Sequence, residues 1–436
     1  MFETIRNAWK VADLKKKLIY TLIVVLLYRV GTALPVPYVS SAMLDSMSQL
    51  TSGSIFQYLN ILSGNAFGQA TLFALGIQPY ITASIVLQLL CVAIPALERL
   101  SKQGEEGKKK INQLTRYTTV ILALITAFGY YKLLDSQGII TKSGFFPALV
   151  IIACYCAGSA LVMWLAEKIN ENGIGNGISI ILFANIVAGL PGTVQTFIAL
   201  CTGNYPFNDG YVPFWAGIII TVVAIAVIVA MVAFIVWMTN SERRLPVQYA
   251  KKVVGRKMYG GQSSNLPIKV NMVGVMPIIF ANSIITIPQT IAMFTGTSNK
   301  VWAFIVNLFS PTNIFYAVLT FVMIVAFAYF YIAISFNPVE VANNIKNQGG
   351  FIPGIRPGRP TSDYISKVLS RITFIGAILL SVVAVLPLLV NVVAGGAFAA
   401  LAFGGSSVII VVGVVLETIR EIEAQMTMRH YKGFLE

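Results

Sequence analysis

Ten stretches of mostly apolar residues dominate the chain, near 18–34, 71–96, 117–134, 145–166, 178–200, 213–238, 272–294, 314–336, 368–390 and 398–416. A helix crossing a bilayer needs about 20 such residues, so each run reads as a membrane span, numbered one to ten here. Charged residues make up only 11% of the chain, against 56% hydrophobic. Soluble domains are typically about a quarter charged, so too little polar surface remains for a water-soluble particle. Ten spans place both termini on one side. Of the 31 Lys and Arg, 27 fall on that side, in the N-terminus, the C-terminus and the even-to-odd connections, chiefly 97–116, 240–270 and 337–371. The positive-inside rule makes it cytoplasmic. Arg29 lies in span one, close enough to its outer end to be expected to snorkel outward. No cleavable leader is expected, because the first long apolar run opens at Leu18 and spans by itself.

Ten spans divide into two fives, and five is odd, so halves related by descent must be inverted relative to each other. The expected division is 1–200, holding spans one to five, and 201–436, holding spans six to ten and the cytoplasmic loops 240–270 and 337–367. Between spans one and two, residues 35–70 contain no Lys or Arg, yet include the greasy run Ile55-Phe56-Gln57-Tyr58-Leu59-Asn60-Ile61-Leu62. It is too short to span. It reads either as a surface helix at the interface or as a half-helix folded into a protein-lined cavity.

Chemistry is sparse. Asp and Glu avoid span centres: Glu98, Glu167, Glu340 and Glu417 all fall at ends, and the only histidine is His430. A carrier coupled to protons or sodium is expected to hold an ionisable group within the membrane. Gly104-Glu105-Glu106-Gly107-Lys108 lacks the spacing of a phosphate loop. Gly173, Gly175 and Gly177 read as flexible residues ahead of span five. Cys91, Cys154, Cys156 and Cys201 read as small buried hydrophobes. No catalytic set, metal site or cofactor is expected, and any driving energy arrives from a partner.

Five strings in order carry a family resemblance: Leu75-Gly76-Ile77-Gln78-Pro79-Tyr80-Ile81-Thr82-Ala83-Ser84-Ile85, Gly173-Ile174-Gly175-Asn176-Gly177-Ile178-Ser179-Ile180, Lys269-Val270-Asn271-Met272-Val273-Gly274-Val275-Met276-Pro277, Pro353-Gly354-Ile355-Arg356-Pro357-Gly358 and Phe403-Gly404-Gly405-Ser406-Ser407. They resemble the SecY family, central subunits of protein-conducting channels, and the likeness runs end to end. It implies an all-α membrane protein of ten helices, in two inverted halves around an hourglass pore. The implied waist is Ile81, Ile85, Ile178, Leu182, Ile279 and Ile410. The implied plug spans about 54–67, with Ser54, Ile55, Phe56, Tyr58, Leu59, Ile61, Leu62 and Phe67. A lateral opening between spans two and seven, and their neighbours three and eight, would be lined by Gln88, Thr118, Thr119, Asn282 and Thr286; ordinary helix–helix glue is the competing account of these five.

Ile81/Ile85 and Ile178/Leu182 are i,i+4 pairs, so each presents two groups on one helical face. A ring of such groups accepts any extended peptide without hydrogen-bonding it, and dewets when empty. The resemblance also implies that Arg243, Arg244, Lys251, Lys252, Arg256, Lys257, Arg356 and Arg359 dock the ribosome or the motor ATPase SecA. For the six in the 240–270 loop, a topology signal with anionic-lipid contact explains the charge equally well. SecE and SecG are the implied partner subunits, and secretory and membrane proteins the substrates, in a bacterial cytoplasmic membrane. The alternatives are a small-solute carrier and a SecY paralogue of an accessory system.

Overall fold

The computed structural model describes the chain except residues 1, 41–59, 61–62, 143, 204–205, 208–209, 212, 250–251, 255–256, 260–262, 296–299, 311–312, 394–403 and 433–436. It is built almost wholly of helices. An N-terminal helix α1 (Phe2–Lys10) precedes α2 (Ala12–Ala33), α3 (Gln78–Ala93), α4 (Pro95–Ser101), α5 (Glu105–Ser136), α6 (Phe145–Asn172), α7 (Gly177–Cys201) and, after a two-stranded hairpin β1 (Pro206–Phe207) and β2 (Gly210–Tyr211), α8 (Phe214–Asn240). Strands β3 (Glu242–Tyr249), β4 (Lys252–Val254), β5 (Lys257–Tyr259) and β6 (Ser263–Lys269) follow. Helices α9 (Met276–Ile285), α10 (Ile287–Thr295), α11 (Lys300–Leu308), α12 (Ile314–Ser335) and α13 (Pro338–Asn347), strand β7 (Gly350–Phe351), and helices α14 (Arg359–Val393) and α15 (Gly404–Lys432) complete the order.

Six described helices, those beginning at Glu105, Phe145, Gly177, Phe214, Ile314 and Arg359, are each long and apolar enough to cross a membrane. The pair α3 and α4, bent by 107°, would make a seventh span. The remaining apolar runs fall on α2, on α9 with α10, and on α15. Large apolar side chains point outward from many of these helices, including Leu22, Leu26, Phe214, Trp215 and Val222. Such a surface is stable only against lipid or another apolar partner. The four cysteines are half-buried rather than buried. A thiol facing hydrocarbon needs no protein cover, which is why the expectation of core burial fails.

The second run does not begin as a helix. Residues 63–77 are turns, and helix starts only at Gln78. Gly76 at φ +55° breaks the chain, and Pro79 in the first turn restarts it. The seventh run behaves alike: Gly274 has φ +65°, its N–H donates to Asn271 Oδ1 at 3.0 Å, and Pro277 opens α9.

One large apolar core threads α2, α3, α6, α7, α8, α9, α12, α14 and α15. At the front, α3 packs on α9 and α5 on α10. At the back, α7 packs on α8 and α15. The loops 240–270 and 337–367 are not separate. Strand β3 pairs antiparallel with β6 from Glu242↔Lys269 to Gln248↔Ser263, and with β7 at Tyr249↔Gly350. Leu245 and Val247 of β3 pack with Ile268, Ile345, Ile352 and Ile365, joining both loops into one unit over the base of α14.

Candidate functional site: an aliphatic girdle and its surroundings

Ile81 and Ile85 stand on α3, Ile178 and Leu182 on α7, Ile279 on α9 and Ile410 on α15. Five of the six are 1–5% exposed, and the half-buried Ile178 packs against the same cluster that contains the others. None is turned out to the lipid-facing surface. Three helix starts place five of them. Pro79 opens α3 and Pro277 opens α9, while Asn176 caps α7 by accepting the Ile178 N–H at 3.0 Å. Gly177 is a close approach rather than a flexible residue, because an added Cβ would lie 2.0 Å from the Ala166 carbonyl oxygen. The outcome is a patch of hydrocarbon contributed by separate helices, with nothing in it that hydrogen-bonds or titrates.

Polar groups lie beside this patch. Gln78 Nε2 donates across the front seam to Ser283 Oγ at 3.4 Å, a long bond that the sequence reading missed. The signal for it was present in two polar residues set in apolar stretches of spans two and seven. Among the residues expected at a lateral opening, Thr119 donates to Thr115 O at 2.7 Å, Thr118 to Leu114 O at 2.9 Å and Thr286 to Ser283 O at 2.8 Å. Each bond stays within one helix. Gln88 is exposed, and its amide reaches Ser84 Oγ on the same helix at 3.3 Å. Asn282 is 3% exposed, and its Nδ2 has no hydrogen-bond partner among the described residues. An open crevice lies between the 63–79 segment, α5 and α10, lined by Ser63, Phe67, Gln78, Thr126, Tyr130 and Thr290 among others.

Of the expected plug residues, Ser54, Ile55, Phe56, Tyr58, Leu59, Ile61 and Leu62 lie outside the described residues. Phe67 is described and buried. Tyr130 of α5 donates its hydroxyl to Phe67 O at 2.5 Å, and Tyr155 of α6 donates to Ala70 O at 3.2 Å, bolting this segment to the α5–α6 pair. Arg29 does not snorkel. Its Nη2 donates to the Ala184 carbonyl of α7, a neighbour that position along a span does not reveal.

On the basic sheet, Arg243 and Arg244 are exposed, and Arg244 Nε pairs with Glu242 Oε1 at 2.8 Å. Lys251 and Arg256 lie outside the described residues. Lys252 and Lys257 are placed by backbone alone, in the β4–β5 hairpin that pairs Lys252↔Tyr259 and Val254↔Lys257. Burial, reinforced by Arg420, holds the Lys269 ammonium at the root of β6 below its usual range, with Glu242 opposing. Arg356 and Arg359 are exposed. Arg356 sits in a turn between Gly354 at φ +81° and Gly358 at φ +103°, where Thr361 Oγ1 donates to the Arg356 carbonyl at 2.8 Å. Arg243 and Arg356 make no ion pair among the described residues.

Helices with apolar outer faces, closing on a buried aliphatic patch, define a multi-pass membrane protein without a polar substrate chamber among the described residues. The SecY family profile matches residues 71–419. The protein translocase subunit SecY of Streptomyces galbus is 44% identical over 449 residues, covering 100% of both chains. A solved structure described as a protein-conducting channel superposes with a TM-score of 0.65 at 18% identity, covering 94% of this chain and 92% of that one. Sec61 in the canine ribosome-channel complex gives a TM-score of 0.62 at 16% identity, again over 94% and 92%. The chain belongs to the SecY family.

Proposed function

We propose that this chain is the channel subunit of a protein translocase. Unfolded polypeptides pass outward through the girdle of Ile81, Ile85, Ile178, Leu182, Ile279 and Ile410, and hydrophobic segments leave sideways between α3 and α9. The observation that carries this reading is the common burial of those six residues in one apolar cluster, in a chain of this family. An aliphatic ring seals without binding. It offers no hydrogen bond that would arrest a passing backbone, and when empty it excludes water and ions.

In this reading ten spans form two inverted halves, 1–200 and 201–436, with both termini in the cytoplasm of a bacterium and residues about 54–67 as the plug. The exposed cations of the basic sheet, above all Arg243, Arg356 and Arg359, dock the ribosome or the SecA motor, which supplies the push. Lys251, Lys252, Arg256 and Lys257 extend that surface along the same finger. SecE and SecG complete the complex, and anionic lipids neutralise the remaining cytoplasmic charge. Gln88, Thr118, Thr119, Asn282 and Thr286 line the lateral seam. A small-solute carrier is disfavoured, since the girdle provides nothing to coordinate a solute.

The decisive experiment replaces Ile81 and Ile85 together by Asn. Polar groups wet the constriction, so resting ion conductance in planar bilayers rises several-fold while the protein still inserts. Conductance equal to wild type would remove the seal, and with it the proposed mechanism.

A further inference from the structure

Span one carries a charge that the girdle does not use. Arg29 lies on α2, half-buried, and donates from Nη2 to the Ala184 carbonyl of α7. Ala184 is two residues beyond Leu182, which places the contact about 3 Å along the helix axis from the girdle. A third element closes on the same guanidinium. In the turn Ser63-Gly64-Asn65, Gly64 has φ +65°, and a Cβ built there would lie 2.6 Å from Arg29 Nη1 and 2.9 Å from Asn185 Oδ1. Asn185 itself is 0% exposed. The turn therefore fits only because it has no side chain at this point.

The turn is also internally braced. Asn65 N donates to Asn60 O at 2.8 Å, Gly68 N to Asn60 Oδ1 at 2.8 Å and Phe67 N to Ser63 Oγ at 2.9 Å. It moves as a piece or not at all. An arginine keeps its proton in any protein environment, so this charge is permanent, and inside a membrane protein it is costly unless partnered. The Ala184 carbonyl of α7 offsets that cost, but only while α2 and α7 stay together.

We propose that Arg29 is a positioning residue for the closed channel, a latch that ties α2 and α7 and seats the 63–65 turn beside the girdle. The proposal rests on reading the girdle as the seal. Opening that displaces the turn must give up its packing on the guanidinium, and weakening that packing shifts the resting population toward open.

The full-length chain, reconstituted in planar bilayers with the subunits that co-purify with it, tests this. Losing a charge-assisted bond makes Arg29→Gln raise resting conductance per inserted channel roughly tenfold. Arg29→Lys keeps the charge but not the planar fork and restores part of the seal. Gly64→Ala pushes the guanidinium aside and raises conductance without removing it. Wild-type conductance in an inserted Arg29→Gln channel overturns the latch, including when the variant is merely less abundant. If Arg29→Gln does not accumulate, Gly64→Ala decides alone, and wild-type conductance there overturns it. The Ile81→Asn/Ile85→Asn channel separates the two ideas: leak there with a tight Arg29→Gln sinks only the latch, whereas no leak there sinks the seal beneath it.

Discussion

Two helix seams, α7 on α8 and α3 on α9, are built in opposite ways. At the back, α7 and α8 approach backbone to backbone: a Cβ on Gly217 would lie 1.9 Å from the Leu200 carbonyl oxygen, and Thr221, donating to Gly217 O at 2.8 Å, also meets the Cys201 thiol at 3.5 Å. Arg420 of α15 also donates to Thr239 O and Asn240 Oδ1, both at 2.8 Å, at the end of α8, a contact within 201–436 rather than across this seam. A cation there also complements the helix dipole. At the front, α3 and α9 share one 3.4 Å side-chain bond, beside the Asn282 amide, whose Nδ2 has no hydrogen-bond partner among the described residues. Close packing transmits strain and resists separation, whereas polar pairs in membranes average only about 0.6 kcal/mol. The α7–α8 seam is thus the closer packed of the two, and the α3–α9 seam carries the weaker polar contact.

Three experiments probe this contrast. The largest effect is expected at the back, where Gly217→Leu has no space: overpacking costs about 3 kcal/mol or more, measured as a lower unfolding temperature in detergent. At the front, Ser283→Val, which adds much less bulk, should cost far less; equal losses would erase the distinction. Next, Asn282→Leu removes an unsatisfied buried amide, which tightens the closed front by about 1–2 kcal/mol and slows lateral release of a hydrophobic reporter segment. Faster release would show that the amide is satisfied in the closed seam. The smallest effect belongs to the Gln78–Ser283 bond. A double-mutant cycle with Gln78→Leu and Ser283→Ala should give a coupling near 0.6 kcal/mol in the signal-peptide concentration needed to open the channel, and zero coupling would mean that the bond contributes nothing to closure.

Much of the architecture was legible before any coordinates. Apolar runs mark where helices lie in lipid, because a bilayer rejects unpaired backbone and charge wherever they occur. The i,i+4 spacing of Ile81/Ile85 and Ile178/Leu182 puts each pair on one helical face; Ile81, Ile85 and Leu182 lie in the buried cluster, and the half-buried Ile178 packs against it. Other features were hidden for definite reasons. Helix α3 begins at Gln78 rather than near 71 because a single glycine at positive φ outweighs a greasy composition. The β3–β6–β7 sheet unites segments about a hundred residues apart, and no local pattern reports such a pairing.

Arg29 shows the limit most clearly. By position it looked like a snorkelling cation, since sequence gives depth along a span but not the neighbour it faces. Composition and charge placement alone determined that this chain resides in lipid and on which side its basic loops are expected, because hydration free energies are summed residue by residue. Which isoleucines share a core, which serine meets Gln78 and which carbonyl receives Arg29 were decided only by tertiary packing, because those energies depend on pairs brought together from distant parts of the chain.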